Sequence, residues 1–270
     1  MPRRPPVCLT IAGSDSGGGA GIQADLKAFA ACGCHGACAI TALTAQNTVG
    51  VQAVQPIAGP FVVAQVRSVV EDLDVAAVKI GMLGDVATIG AVTEALALVP
   101  AGVPVVLDPV MVAESGTRLL DEDAVQALRE LLACVTVATP NLPEARVLAD
   151  APELGDAEQL ARRIHALGAS AVVVTGGHRD RAEDLLFDGV TLTRLDGPRH
   201  PDGAAHGSGC THASALAAHL AHGFSLQDAA AAARRVAGAA VRDGLREVGA
   251  GAGPVDVLQV RGRTPERPAA

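Results

Sequence analysis

The chain has 270 residues, of which 49% are hydrophobic, so it can bury a sizeable core in one large α/β domain or two small ones. Only 1% of the residues are aromatic and the formal net charge is −8, which argues against base stacking and against binding of phosphate backbones. We therefore expect no nucleic-acid partner.

Six cysteines could pair by number, but the chain opens Met1-Pro2-Arg3-Arg4-Pro5-Pro6 without a long apolar signal segment, so a reducing, cytoplasmic location fits best. Cys32, Cys34 and Cys38 do not have the spacing of a zinc site, and we interpret them as small apolar residues. Residues 28–66 contain no Asp, Glu, Lys or Arg, but Gly, Gln, Asn, Thr and Pro interrupt the run. This pattern indicates a buried α/β segment and no membrane partner.

The first elements in chain order are a strand, a glycine loop and a helix. Residues 7–12 are apolar, residues 13–21 read Gly-Ser-Asp-Ser-Gly-Gly-Gly-Ala-Gly, and a helical pattern runs from Ile22 to about Cys32. The loop loosely matches the dinucleotide-binding fingerprint, but the next strand ends near Gln46 without the acidic residue that this fingerprint requires. No Gly-Lys-Ser or Gly-Lys-Thr exists, which excludes the nucleotide P-loop. From the pattern alone, Asp25 either faces a ligand or is a solvated capping residue.

The chain then alternates between apolar runs and helical patterns. The apolar runs are 76–80, 103–107, 135–138 and 171–174, and the helical patterns are 59–71, 85–98, 121–132 and 156–167. Such repetition predicts a parallel sheet covered by helices on both faces, with ligands bound beyond the carboxyl ends of the strands. Polar residues cluster at those ends: Gly13, Asp15, Gln46, Asn47, Asp108, Asn141, Glu144 and the run Thr175-Gly176-Gly177-His178.

Residues 183–187 and 190–195, around Asp188-Gly189, predict an antiparallel hairpin, and an alanine-rich helix is expected from Ser225 to about Val241. From Gly249 the chain turns glycine- and proline-rich and then basic. We expect one domain over residues 7–258, with flexible tails at 1–6 and 259–270.

A glycine-rich turn, His206-Gly207-Ser208-Gly209-Cys210, leads into a helical pattern that is unbroken until Gly223. Its two glycines allow close approach to a ligand, and the free N–H groups of a first helical turn would face an anion there. A helix N-terminus lowers a thiol pKa, so Cys210 could be a base or nucleophile at neutral pH. The alternative is a small buried cysteine at the start of a core helix.

Six motifs in order closely resemble the hydroxymethylpyrimidine/phosphomethylpyrimidine kinases of thiamine biosynthesis, in the ribokinase-like superfamily. They are residues 12–25, Ala45-Gln46-Asn47-Thr48, Lys79-Ile80-Gly81-Met82-Leu83, Asp108-Pro109-Val110-Met111, Thr139-Pro140-Asn141-Leu142-Pro143-Glu144 and the turn at Cys210. The resemblance runs from about Val7 to Val257. It implies a three-layer α/β/α sandwich with a mostly parallel central sheet, ATP with Mg²⁺, two successive phosphoryl transfers to a small pyrimidine, and a homodimer.

The resemblance also implies roles for individual residues. The pyrimidine-binding positions are Gly13, Asp25, Gln46, Met82 and Val110. The catalytic positions are Cys210 as the base, with Gly207 and Gly209 as the anion hole. The nucleotide-binding positions are Asn141, Thr175, Gly177 and Ser208, and the metal-binding positions are Asp108 and Glu144.

Three residues depart from the family pattern. Thr175 stands where the family often has lysine, so one cation expected near the triphosphate is missing. Ser208 replaces the more usual threonine but keeps the hydroxyl. Glu114 stands in a lid segment where lysine is frequent. None of these changes removes a residue that the mechanism requires.

Three alternative functions remain. A pyridoxal kinase of the same superfamily would share the fold, ATP and a hydroxymethyl acceptor. A cysteine hydrolase could use Cys210 with His206 or His212, but the sequence shows no separate His-Asn or His-Asp pair to orient the base. The third alternative is a non-catalytic binding protein of the same fold.

Overall fold

The structure is a computed structural model that describes residues 4–176 and 183–263. Within these ranges nine strands form one sheet: β1 (Val7–Asp15), β2 (His35–Asn47), β3 (Gly50–Pro56), β4 (Val75–Ile80), β5 (Val105–Leu107), β6 (Val137–Ala138), β7 (Ala171–Val174), β8 (Glu183–Phe187) and β9 (Leu192–Asp196). The same described residues form eight α-helices: α1 (Gly21–Ala31), α2 (Gly59–Val70), α3 (Val86–Leu96), α4 (Ala124–Leu131), α5 (Leu142–Leu148), α6 (Ala157–Ala166), α7 (Ser208–Ala221) and α8 (Leu226–Arg242).

The strand order is β3-β2-β1-β4-β5-β6-β7-β8-β9. Neighbours from β2 through β7 are parallel, whereas β3, β8 and β9 pair antiparallel at the two edges. The predicted α/β fold with a mostly parallel sheet is confirmed. The predicted hairpin is also present as β8 and β9.

Alternate strand residues point to two separate cores, which makes the domain three-layered. On β1, Leu9 and Ile11 pack with helices α2 to α6, while Cys8 packs on the other face with Phe29 of α1 and with α7 and α8. Continuous apolar runs such as Ala171–Val174 are needed because both faces of these strands are buried. The sandwich architecture expected from the resemblance is thereby confirmed.

Two elements were not predicted from the sequence. Strand β3 lies at an exposed edge and α5 has only seven residues, beginning at a capping box in which Asn141 and Glu144 exchange hydrogen bonds. Near the C-terminus, Val255 and Asp256 are buried, and His206 pairs with Pro254 in an isolated bridge. The flexibility expected for residues 1–6 and 259–270 stays a prediction.

Across the described ranges, no helix combines the length and apolar character that a membrane crossing needs. All six cysteines are free. No group of three or more His, Cys, Asp or Glu side chains with metal-binding geometry occurs in the described part of the chain.

Candidate active site

A cavity of about 410 Å³ opens at the carboxyl ends of the parallel strands, where the topology predicted a site. It lies between the strand ends and the first turn of α7. Twelve of the residues predicted from the sequence line it: Gly13, Gln46, Met82, Asp108, Val110, Asn141, Glu144, Thr175, Gly207, Ser208, Gly209 and Cys210. Gly177 lies outside the described residues.

The first turn of α7 forms one wall of the cavity. Its N-cap, Gly207, has φ 84°, and a side chain there would overlap the carbonyl oxygen of Gly19. A Cβ on Gly209 would lie 3.8 Å from Asp108 Oδ2, so this turn faces the carboxylate across the cavity. The N–H groups of a first turn are not used inside the helix, and they can bind an anion that enters here.

The glycine loop after β1 is held by Asp15, which sequence reasoning noted only as a polar strand end. Its carboxylate accepts hydrogen bonds from the N–H groups of Gly17, Gly19 and Ala20 at 2.7, 3.0 and 2.8 Å and lies 3.0 Å from His206 Nε2. Burial acts to raise the Asp15 pKa, but the bonds from His206 and the backbone lower it overall. The loop is therefore fixed to the segment that precedes α7.

Asp25 does not line the cavity. The structure therefore does not support the expected direct contact between Asp25 and the pyrimidine. Its carboxylate is fully buried and accepts bonds from Thr10 Oγ1 at 2.6 Å, Lys79 Nζ at 2.9 Å and Ser214 Oγ at 2.8 Å. All three donors come from the protein. Asp25 thus positions Lys79, which lines the cavity, without lining the cavity itself.

Lys79 lies between two carboxylates, the buried Asp25 and the cavity-lining Asp108. Its Nζ lies 3.9 Å from Asp108 Oδ2, and its side chain is fully buried. Burial alone would lower the Lys79 pKa, but the carboxylates of Asp25 and Asp108 raise it, so the ammonium persists. A permanent positive charge therefore lies beside Asp108 and Cys210.

Cys210 lies at the cavity surface near Asp108. Burial raises the pKa of this thiol to about 12; Lys79 and the N–H of Gly21 lower it, while Asp25 and Asp108 raise it further. The prediction of a depressed thiol pKa is wrong, because burial raises the pKa. A helix N-terminus supplies only partial charges, which are weaker than the loss of hydration and two nearby carboxylates.

Asp108 and Glu144 provide the hard oxygen atoms that Mg²⁺ prefers. Asp108 Oδ2 is buried without a hydrogen-bond partner among the described residues. Burial, followed by the charge of Asp108, raises the Glu144 pKa to about 8, although the N–H groups of Asn141 and Met111 oppose this. A cation would relieve both the unpaired oxygen and the repulsion, so these two residues fit a metal that completes its coordination with phosphate oxygens and water.

Gly13, Gln46 and Met82 line the end of the cavity near β1, β2 and β4. Gly13 allows Met82 to approach, since a Cβ at Gly13 would lie 3.2 Å from Met82 Sδ. Gln46 Oε1 accepts a bond from Thr44 Oγ1 at 3.1 Å, which orients the amide and leaves its NH₂ group as a donor. A flat polar ring could be held here by a thioether face and an amide edge.

The opposite end lies near β6, β7 and α8. Asn141 is the N-cap of α5: its side-chain oxygen accepts the Glu144 N–H at 2.9 Å, while Glu144 Oε2 accepts the Asn141 N–H at 2.9 Å. Thr175 bridges to Asn141 in the adjacent strand end. Asn141 and Glu144 therefore cap α5 and also line the cavity. The Asn-x-x-Glu spacing is the sequence signal from which α5 could have been predicted.

Two His–Asp pairs contradict the expectation that none exists. His206 Nε2 lies 3.0 Å from Asp15 Oδ2, and His212 Nε2 lies 3.2 Å from Asp184 Oδ2, because distant segments meet at the cavity. Among the described residues, no hydrogen bond joins either ring to Cys210. The arrangement does not form the activated Cys–His unit that a hydrolase needs.

The three-layer sandwich, the cavity beyond the carboxyl strand ends and the anion-binding turn at α7 together define a ribokinase-like small-molecule kinase. The sequence model of one family, described as phosphomethylpyrimidine kinase, matches residues 15–256. The chain belongs to this family, which confirms the resemblance noted from its motifs.

Individual relatives agree with this placement. The hydroxymethylpyrimidine/phosphomethylpyrimidine kinase of Rhizobium meliloti is 50% identical over 256 residues, covering 92% of this chain and 96% of that protein. The ADP complex of Bacillus subtilis pyridoxal kinase has a TM-score of 0.84 at 37% identity, covering 96% of this chain and 99% of its own. The phosphomethylpyrimidine kinase of Clostridium difficile has a TM-score of 0.75 at 36% identity, covering 85% of this chain and 96% of its own.

Proposed function

We propose that this protein transfers the γ-phosphoryl group of ATP to the hydroxymethyl oxygen of 4-amino-5-hydroxymethyl-2-methylpyrimidine, and then phosphorylates the monophosphate, in thiamine biosynthesis. The observation that carries the proposal is a single cavity with three parts. Gln46 and Met82 suit a pyrimidine, the first turn of α7 suits a transferring phosphoryl group, and Asp108 with Glu144 suits a metal ion. Positioning and charge neutralisation are the main requirements of phosphoryl transfer.

Cys210 is the proposed base of the first transfer, in which the hydroxyl proton of the substrate moves to Sγ. Its sulfur must then be ionised when substrate and ATP are bound, although burial raises its pKa to about 12. Lys79 favours the thiolate throughout, and Asp108 opposes it. Occupation of Asp108 by a cation would remove part of that opposition.

The second transfer makes a smaller demand on Cys210. Its nucleophile is a phosphate oxygen that is already ionised, so little proton removal is needed. The N–H groups at Gly207 and Gly209 would hold the transferring group in both steps, as an anion hole does. One site can therefore catalyse both reactions on successive forms of one ligand.

Asp108 and Glu144 would hold Mg²⁺, directly or through water, with Asn141, Thr175, Ser208 and Gly177 near the nucleotide. When bound, the metal would neutralise charge on the phosphates. The family resemblance also supports a homodimer and a cytoplasmic location. Sedimentation equilibrium of the purified chain tests the dimer.

Pyridoxal kinase activity is the second candidate, because structures with that name resemble this chain over nearly its whole length. An ADP-release assay with hydroxymethylpyrimidine, its monophosphate and pyridoxal run side by side separates the two. We expect both pyrimidines to be used with higher kcat/KM than pyridoxal. Preference for pyridoxal, or use of neither pyrimidine, would contradict the proposal.

The same assay also tests whether Gln46 binds the pyrimidine. In Gln46→Ala the pyrimidine loses a hydrogen-bonding partner, at a cost of about 1–3 kcal/mol, so its KM should rise while the KM for ATP stays nearly constant. Gln55→Ala is the matched control, since Gln55 is exposed on β3. Equal pyrimidine affinity of the two variants would remove Gln46 from the pocket.

A further inference from the structure

His206 is a buried residue that joins the glycine loop after β1 to the turn before α7. It is 7% exposed, immediately precedes the N-cap Gly207, and places its Nε2 3.0 Å from Oδ2 of Asp15. The same oxygen accepts the N–H groups of Gly19 and Ala20 at 3.0 and 2.8 Å, so the carboxylate is the acceptor and the imidazole is the donor. One carboxylate therefore holds the glycine loop and His206 together.

Two glycines make this junction tight. A side chain on Gly19 would overlap the ring of His206, and a side chain on Gly207 would overlap the carbonyl oxygen of Gly19. Only glycines allow the ring, the loop and the turn to approach one another this closely. A shift of His206 would therefore displace both the glycine loop and the start of α7.

The backbone of His206 is held by the C-terminal segment, which we define as residues 250–256. The N–H of His206 donates to the Gly253 carbonyl at 3.3 Å, and the His206 carbonyl accepts the N–H of the buried Val255 at 3.1 Å. Both polar groups of the His206 backbone are thereby used, and its side chain is used by Asp15. His206 is fixed from two sides.

The C-terminal segment is itself attached to two other parts of the cavity wall. The N–H groups of Ala250 and Gly251 donate to Thr48 Oγ1, in the turn between β2 and β3, at 3.1 and 3.2 Å. The N–H of Asp256 donates at 2.9 Å to the carbonyl of Ala240 in α8, a helix that lines the cavity. The segment therefore connects the β2–β3 turn, His206 and α8.

We propose that His206 is a positioning residue, which fixes the N–H groups at Gly207 and Gly209 relative to the glycine loop, and that the C-terminal segment supports it. The inference rests on the proposed kinase function. Phosphoryl transfer depends mostly on positioning, and misplacement of a group by about 1 Å can cost about 10²-fold in rate. His206 acts through the turn that follows it, so its contribution should appear in kcat.

Two substitutions separate the hydrogen bond from the ring. His206→Leu removes the donor, whereas His206→Gln offers an amide N–H that lies as many bonds from Cβ as Nε2 does. We expect His206→Leu to lower kcat for hydroxymethylpyrimidine by about 10²-fold and His206→Gln to recover most of that loss. His35→Leu is the control, because His35 is exposed at the start of β2.

Hydrogen–deuterium exchange of the full chain without substrate, followed by mass spectrometry of its peptides, measures the positioning directly. In His206→Leu, exchange should accelerate in residues 13–21 and 206–211 and stay at the wild-type rate in α6. Thr48→Val is a milder variant that removes two hydrogen bonds from the far end of the C-terminal segment. It should accelerate exchange in residues 250–256 and 206–211.

Three results would overturn the proposal. If His206→Gln is as slow as His206→Leu, the ring itself is required and not the bond to Asp15. Wild-type exchange of the glycine loop and the turn in His206→Leu would show that the residue does not hold them. Wild-type exchange at residues 206–211 in Thr48→Val would remove the support by the C-terminal segment.

The exchange measurement keeps this test separate from the proposed function. A wild-type chain that phosphorylates neither pyrimidine, but in which His206→Leu loosens both loops, would refute the substrate assignment alone. Efficient pyrimidine phosphorylation by His206→Leu would refute only the role of His206.

Discussion

Lys79 and Asp25 form an ion pair of 2.9 Å in which neither side chain is exposed to solvent. Removing one partner leaves a buried charge, so Lys79→Met and Asp25→Asn should each lower the free energy of unfolding by about 3–5 kcal/mol. The double variant should lose less than the sum. Urea unfolding of all four proteins measures this coupling.

A surface pair provides the control. Glu158 and Arg162 are partly exposed and lie one turn apart on α6, so Glu158→Gln should cost about 0.5 kcal/mol or less. Strict additivity of the Lys79 and Asp25 effects would mean that the two charges do not stabilise each other.

Gly207 and Gly223 lie at the two ends of α7 with nearly the same backbone, at φ 84° and 82°. An alanine at Gly223 has nothing within 4 Å, whereas at Gly207 it would collide with the Gly19 carbonyl. Both alanine variants should lose about 1 kcal/mol for the positive φ. Only Gly207→Ala should also displace the glycine loop and lose most of kcat. Equal activity of the two variants would contradict the anion-hole geometry.

Asp108→Asn and Glu144→Gln should shift the midpoint of Mg²⁺ activation to higher concentration. Each change removes one anionic oxygen donor from the pair that faces the cavity. Glu94→Gln on the exposed side of α3 is the control. Activity is measured by ADP release across a Mg²⁺ titration, and wild-type curves for both variants would show that the metal is bound elsewhere.

The Cys210 thiol should show no ionisation midpoint between about pH 6 and pH 9 in the ligand-free protein. Its pKa is raised to about 12, so the thiolate fraction rises tenfold with each pH unit over this range without levelling. Alkylation by iodoacetamide, followed peptide by peptide in mass spectrometry, should follow that slope. Exposed Cys134 is the internal comparison, and a plateau for Cys210 below pH 8.5 would contradict the raised pKa.

Cys210→Ala should slow the first phosphorylation by about 10²–10⁴-fold and the second by much less. The reason is that only the hydroxymethyl group needs proton removal. Single-turnover rates with each pyrimidine measure the difference, and intact-mass analysis during turnover should find no covalent adduct. Near wild-type kcat in the first step would make Cys210 a packing residue.

The sequence predicted the parallel sheet well because its strands are buried on both faces, as in Ala171–Val174, and leave a continuous apolar run. Strand β3 leaves no such run, since five of its seven residues are exposed, and α5 is too short for a periodic pattern. A cavity lies at the predicted strand ends for the same reason. Strand ends are visible in a sequence.

The roles of individual groups depend on neighbours that the sequence does not reveal. Asp25 is withdrawn from the cavity by Thr10, Lys79 and Ser214, and Cys210 is surrounded by Asp25 and Asp108. Local signals, above all the helix N-terminus, predicted a lowered pKa for the Cys210 thiol, whereas its pKa is raised. His212 and Asp184 were missed as a pair because α7 and β8 meet only in the folded chain.

The pairing of Asp15 with His206 joins residues 191 positions apart, and that of Asp25 with Ser214 joins residues 189 apart. Loop closure over such distances is slow, and a chain emerging from the ribosome forms β1 and α1 long before α7 exists. Until α7 docks, Asp15 lacks His206, Asp25 lacks Ser214, and one face of the sheet is uncovered. Catalytic competence should therefore return in the last kinetic phase of refolding, and a nascent chain that ends before α7 is the form most in need of a chaperone.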